Sequence, residues 1–261
     1  VTSTALMANM PAAESACAAL PATPHLEVGL HFNLTEGEPL TSARSLRGRD
    51  GHFRPLKGQL SAFAFGRADA GEVEAEFLAQ VERARSFGCE PSHLNGHEHI
   101  HLFGAARMVV LAFARRRGIS VRRPREPLCG DLGGSLGYLA RRVVLRAGSR
   151  GGDWSGVPYA DHFLELTGPR RGRSADWLVN KLARLSGVIE ILCHPGESPT
   201  DFADPLAERR PAESAILTTP GLRERLREAH VDLTTFGQEF GDGGRPRPRV
   251  KLPAPNGAGA A

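Results

Sequence analysis

The feature that most constrains this chain is the repeated exchange of short apolar runs with longer amphipathic ones. Thr4 to Asn9, Leu26 to Leu34, Ser92 to Asn95, Ile119 to Arg122, Val188 to Cys193 and Val231 to Phe236 read as strands, with Asp161 to Leu166 a further extended candidate. Helical stretches lie between them: Pro11 to Leu20, Glu72 to Phe87, Ala105 to Arg117, Leu136 to Leu145, Ala175 to Leu185 and Pro220 to Ala229. Val73, Phe77, Val81 and Ala84 recur at the spacing of one helix face, and Gly88 stops that helix. Val188, Ile189, Ile191 and Leu192 instead form a short apolar run, as a buried strand does. Strands alternating with helices need crossovers, so the sheet is expected to be parallel. About seven strands in one unit favour a β/α barrel, complete or distorted, with an open doubly wound sheet as the competitor. Gly37 to Gly58 has no period and reads as loop.

Composition narrows the function classes. The 261 residues are 41% hydrophobic, enough for one sizeable core, taken to span residues 1–240. The Gly-, Pro- and Arg-rich end, 241–261, reads as a disordered tail. The formal charge of +4 comes mostly from scattered arginines; Arg115 to Arg117 and Arg122-Arg123 are short clusters without interleaved aromatics. They read as solvated helix faces, so no nucleic-acid partner is expected. No pair among Cys17, Cys89, Cys129 and Cys193 has C-x-x-C spacing, which suits reduced thiols in the cytoplasm. No apolar run is long enough to cross a bilayer, and no secretory signal is visible at Val1, so no membrane insertion is expected.

The chemistry gathers where strands end. His93, His97, His99 and His101 crowd one segment, Ser92-His93-Leu94-Asn95-Gly96-His97-Glu98-His99-Ile100-His101. If that segment is extended, alternate residues share a side, and His97, His99 and His101 line one surface. Neutral imidazole is the commonest metal ligand, although a loop also uses histidine for hydrogen bonds. His31 closes the Leu26 to Leu34 run, and His194 follows the Val188 to Cys193 run. The carboxyl ends of parallel strands are where α/β enzymes place their reactive groups.

These segments resemble the YdjC-like carbohydrate deacetylases, a group that includes chitooligosaccharide deacetylases and a hopanoid-associated branch. The resemblance rests on Val1 to Met7, Gly29 to Gly37, Pro91 to His101, Arg122 to Glu126 and His194-Pro195-Gly196, in the family's order. It implies a distorted, TIM-like β/α barrel and hydrolysis of an N-acetyl group from an amino-sugar glycan or glycolipid. It also implies a divalent ion, magnesium or zinc, held by His31 and His97, with His99 and His101 mattering less. His194 is the choice for protonating the departing amine, or else it fixes the Pro195-Gly196 turn. Arg122 and Glu126 are the substrate-binding candidates, with an Arg122–Glu126 structural pair as the alternative. A second copy of the chain is an optional partner.

The sequence departs from the family's pattern in two places. The family opens with a strand followed by Asp-Asp-Phe-Gly, upstream of the match to Val1-Thr2-Ser3-Thr4; the expectation is a chain without its first strand and without those aspartates. Asn95-Gly96 stands where Asp-Ser or a related pair is usual. If a carboxylate base lies within the chain, Asp161 and Glu98 come first. Two rival readings remain: a metal-dependent amidohydrolase of another small amide, and a non-catalytic remnant.

Overall fold

The structure is a computed structural model, which describes residues 1–125, 136–166, 173–198 and 204–241. Four strands, β1 (Ser3–Leu6), β2 (Glu27–Phe32), β3 (His93–Gly96) and β4 (Ser120–Val121), form one parallel sheet in chain order. Two more, β5 (His162–Glu165) and β6 (Ile189–Leu192), form a second parallel pair. Among the described residues no strand pairing joins β4 to β5, so the parallel α/β class is as expected but these strands do not close into a barrel.

The helices are α1 (Ala13–Ala18), α2 (Leu56–Ala64), α3 (Ala70–Ser86), α4 (Gly104–Arg117), α5 (Leu136–Arg150), α6 (Ala175–Leu182), α7 (Arg209–Leu217), α8 (Leu222–Glu228) and α9 (Phe236–Phe240). Asp69 starts α3 by accepting the Glu72 amide at 2.9 Å, and Val73, Phe77, Val81 and Ala84 go into the core as their period requires. Phe77 packs edge-on against both Phe32 of β2 and Phe113 of α4, with ring centroids 5.0 and 5.1 Å apart. This core lies over the four-stranded sheet. A second core, with Leu166, Leu178, Leu182, Ile216 and Leu226, lies over the β5–β6 pair.

Several expected boundaries shift. The first strand stops at Leu6 rather than Asn9, and the loop from Gly37 to Gly58 gives way to α2 at Leu56. Helix α7 had no counterpart in the apolar periodicity. Val231 to Phe236 is not a strand. Thr235 accepts the Gln238 amide at 3.2 Å and Gln238 returns to the Thr235 amide, a capping box that starts α9 instead. Thr235 also donates to Glu27 at the start of β2, and Phe236 stacks on His93 at 3.9 Å. Thr235→Ala is therefore expected to lower stability by about 1 kcal/mol, the usual worth of such a cap. Chemical denaturation tests it, and an unchanged midpoint would show that α9 adds nothing to the folded domain.

Candidate active site

His31, the fifth residue of β2, and Asn95 of β3 are register partners on adjacent parallel strands. The register places the Asn95 side-chain oxygen beside His31 Nδ1, so that Nδ1–H donates to it and Nε2 is the nitrogen with the lone pair. His97 follows β3 directly, and its ring lies edge-on to His31 with centroids 5.5 Å apart. Burial is the main cause that pushes the His31 imidazole down to about 3, so it is neutral near pH 7.

A carboxylate not foreseen as a site residue stands beside His97: Glu36 Oε2 lies 3.0 Å from His97 Nε2. Its placement begins with buried polar groups of α3. Glu76 accepts the Leu40 and Thr41 amides at 3.0 and 2.9 Å. Gln80 exchanges hydrogen bonds with the Asn33 backbone at 3.0 and 2.7 Å. Asn33 Oδ1 then accepts the Glu36 amide at 3.1 Å, which fixes where the Glu36 side chain starts. Fully buried polar residues on a helix face signal such a tether, and Glu76 and Gln80 occupy the same face as Val73 and Phe77.

The segment after His97 is not extended. His97 to Leu102 forms a tight helical turn in which Glu98 and His99 take positive φ, 48° and 60°. The turn sends the histidines apart, so that His97 faces His31 while His99 and His101 turn inward. His101 Nε2 lies 2.9 Å from the Arg122 carbonyl, and the His99 ring is edge-on to Phe163 at 5.8 Å. Gly96 permits this folding back. A Cβ there would come 2.7 Å from His101 Nδ1 and 3.0 Å from its backbone nitrogen. Glu98 is exposed and Asp161 accepts the Val188 amide at 2.8 Å; among the described residues neither forms an ion-binding group of three with His31 and His97.

Arg122 follows β4, and its expected partner Glu126 lies outside the described residues. Its guanidinium reaches β6, where Nε donates to Glu190 at 2.6 Å with both side chains buried. Glu190 is the buried residue of β6, whereas its apolar neighbours Ile189, Ile191 and Leu192 are half-buried. His194 stands just past β6 with its amide donating to Glu213 of α7. Burial lowers the His194 pKa; Arg122 and Arg210 lower it further, while Glu213 and Glu165 oppose them. The Arg122 charge is also felt at His31, so it connects the two halves of the site.

His93 and His101 are 2% and 1% exposed, and burial first of all pushes each to about 3. An unfolded histidine titrates near 6.5, so below that pH the unfolded chain binds protons that the folded one refuses. Stability contributed by keeping them neutral is present above about pH 6.5 and is lost as pH falls toward 3, at about 3 kcal/mol per pH unit for the two. His31, held down to about 3 in the same way, adds an equal share. Denaturant unfolding between about pH 7 and 5 should therefore show a slope of about 4 kcal/mol per pH unit, and His93→Leu should flatten it by about a third. An identical slope in the variant would remove His93 from the account.

A parallel α/β protein with histidines, a guanidinium and carboxylates gathered past its strand ends has the makings of a hydrolase site. The chain belongs to the YdjC-like protein family, whose pattern it matches over residues 1–228. It is 33% identical over 245 residues to a carbohydrate deacetylase of Geobacillus stearothermophilus, covering 92% of this chain and 86% of that protein. A human carbohydrate deacetylase is 32% identical, over 89% of this chain and 80% of its own length. A chitooligosaccharide deacetylase of Klebsiella pneumoniae is 28% identical, over 90% and 87%. The fold is shared with a crystal structure from Enterococcus faecalis V583, described as a candidate cellobiose-phosphate cleavage protein. That match has a TM-score of 0.63 and 22% identity, and covers 90% of this chain and 87% of that one.

Proposed function

We propose that this protein hydrolyses the N-acetyl group of an amino-sugar glycan, of chitooligosaccharide or glycolipid type, with the help of a divalent ion. The observation that carries the reading is the His31–His97 pair at the ends of β2 and β3, in a chain similar to carbohydrate deacetylases over most of its length. The donor chemistry fits part of a metal shell. His31 is neutral and oriented by Asn95, and a second imidazole stands beside it. Among the described residues no third His, Cys, Asp or Glu completes an ion-binding group with them. His31 and His97 would thus supply two donors, with water or other groups supplying the rest. Imidazole donors suit zinc better than magnesium, which prefers oxygen. When bound, such an ion polarises a carbonyl and acidifies water.

The chain's own residues account for the remaining tasks. The Arg122 cation, whose charge is felt at both His31 and His194, favours the negative charge that develops on the acetyl oxygen. His194 is the group assigned to the departing amine. Because burial holds its imidazole neutral near pH 7, it would take a proton from the attacking water and deliver it to the amine nitrogen as the C–N bond breaks. Removing such a proton carrier typically costs about 10²–10⁴-fold in rate. His194→Ala should lower acetate release from an N-acetylated disaccharide by that order and leave ion binding intact. Full turnover in the variant would return His194 to the role of a turn residue beside Pro195 and Gly196.

No described helix is long and apolar enough to cross a membrane. Cys17, Cys89 and Cys193 are free thiols, which supports placing the protein in the reducing cytoplasm.

A further inference from the structure

We propose that Glu190 is a positioning residue, which holds the Arg122 guanidinium across the gap between the two sheets and so sets where the site's cation stands. Glu190 of β6 receives Arg122 Nε at 2.6 Å, and both side chains are more than nine-tenths buried. Its register partner on β5 is Phe163, whose ring lies 5.6 Å from the guanidinium carbon. The other end of Arg122 is equally constrained. Its amide donates to Leu94 of β3 at 2.9 Å, and its carbonyl meets His101 Nε2 at 2.9 Å. The backbone of this residue is thus locked to the first sheet and its charged tip to the second. Between β4 and β5, where strand pairing is absent among the described residues, this contact is a charged one spanning the gap.

A buried ion pair is poor value as a stabiliser, because desolvating both charges offsets most of their attraction. Its use here is placement. Phe163, beside the guanidinium, also packs edge-on against His99 at 5.8 Å, and the Arg122 carbonyl meets His101. The group is thus tied to the histidine segment, while its charge lowers the pKa of His194. A shift of about 1 Å in such a group is enough to lose catalysis. Length is therefore the property of Glu190 that matters, more than its charge.

Two substitutions separate those properties. Glu190→Gln keeps the reach and an acceptor oxygen but loses the charge; Glu190→Asp keeps the charge and withdraws the oxygen by one methylene. The first readout is the titration of His194, followed by NMR in the purified protein. That imidazole is faced by Glu213 and Arg210 of α7, by Glu165 of β5, by Asp204 and by Arg122. Moving Arg122 in the Asp variant, which keeps the carboxylate charge, should shift the titration away from the parent. The Gln variant unmasks the guanidinium and lowers the His194 titration by charge alone, so in this readout the Asp variant is judged against the parent. The second readout, which rests on the deacetylase reading, is acetate release from an N-acetylated disaccharide. The Asp variant should lose about 10²-fold in kcat at little-changed KM, the scale of a misplaced transition-state donor, while the Gln variant keeps most of it. An Asp variant matching the parent in either readout, or one better than Gln, overturns the proposal. If the parent protein releases no acetate, the deacetylase reading fails and the His194 titrations alone decide the role of Glu190.

Discussion

His97→Ala and His31→Ala should each weaken binding of a divalent ion by more than about 100-fold, beyond what loss of an outer partner causes. The expectation follows from the small donor set. Two imidazoles lie side by side, Glu36 pairs with His97, and among the described residues no three such side chains form an ion-binding group, so losing either imidazole removes one of few protein donors there. Asn95→Ala should fall between these variants and the parent, about 10–100-fold weaker, because it frees the His31 ring without removing a donor. Exposed His25 is the control, and its alanine variant should bind like the parent. Calorimetric titration with zinc and with magnesium supplies the comparison. Equal affinities in the parent, His31→Ala and His97→Ala would place the ion elsewhere.

The second large effect concerns stability. Arg122→Met should cost about 3–5 kcal/mol, because it leaves the Glu190 carboxylate buried with its charge uncompensated. The double variant Arg122→Met/Glu190→Leu should recover most of that loss, since neither charge then has to be desolvated. Denaturant unfolding of the two singles and the double gives the coupling directly. Additive losses would mean that the two residues do not act as a pair.

How far these features can be read from the amino acids differs from one residue to the next. Helix α3 was legible because Val73, Phe77, Val81 and Ala84 keep the helical period, and β2 because an apolar run ends at a polar cluster. The same patterns put His31 near the end of β2 and His97 just after β3. The fate of His99 and His101 did not. Alternation along an extended backbone is the default for such a segment, and positive φ at Glu98 and His99 is a conformation that side chains disfavour. It is imposed by packing around Gly96 and Arg122 rather than by local preference. Glu190 was hidden in a different way. In an apolar run a lone carboxylate looks like the solvent-facing residue of a strand, yet its neighbours are half-buried and Glu190 is 7% exposed. The signal was a partner 68 residues away, which no local pattern reveals. Val231 to Phe236 misled through its apolar residues, while Thr235 and Gln238 carried the capping pattern that decided the outcome.

The most direct measurement is acetate release by the purified protein from short N-acetylglucosamine oligomers, with zinc or magnesium supplied and then removed by a chelator. Deacetylation predicts acetate and free amine in equal amounts, loss of both on chelation, and recovery when the ion is returned. A protein that binds the ion through His31 and His97 yet releases no acetate from any N-acetylated amino sugar would contradict the assignment.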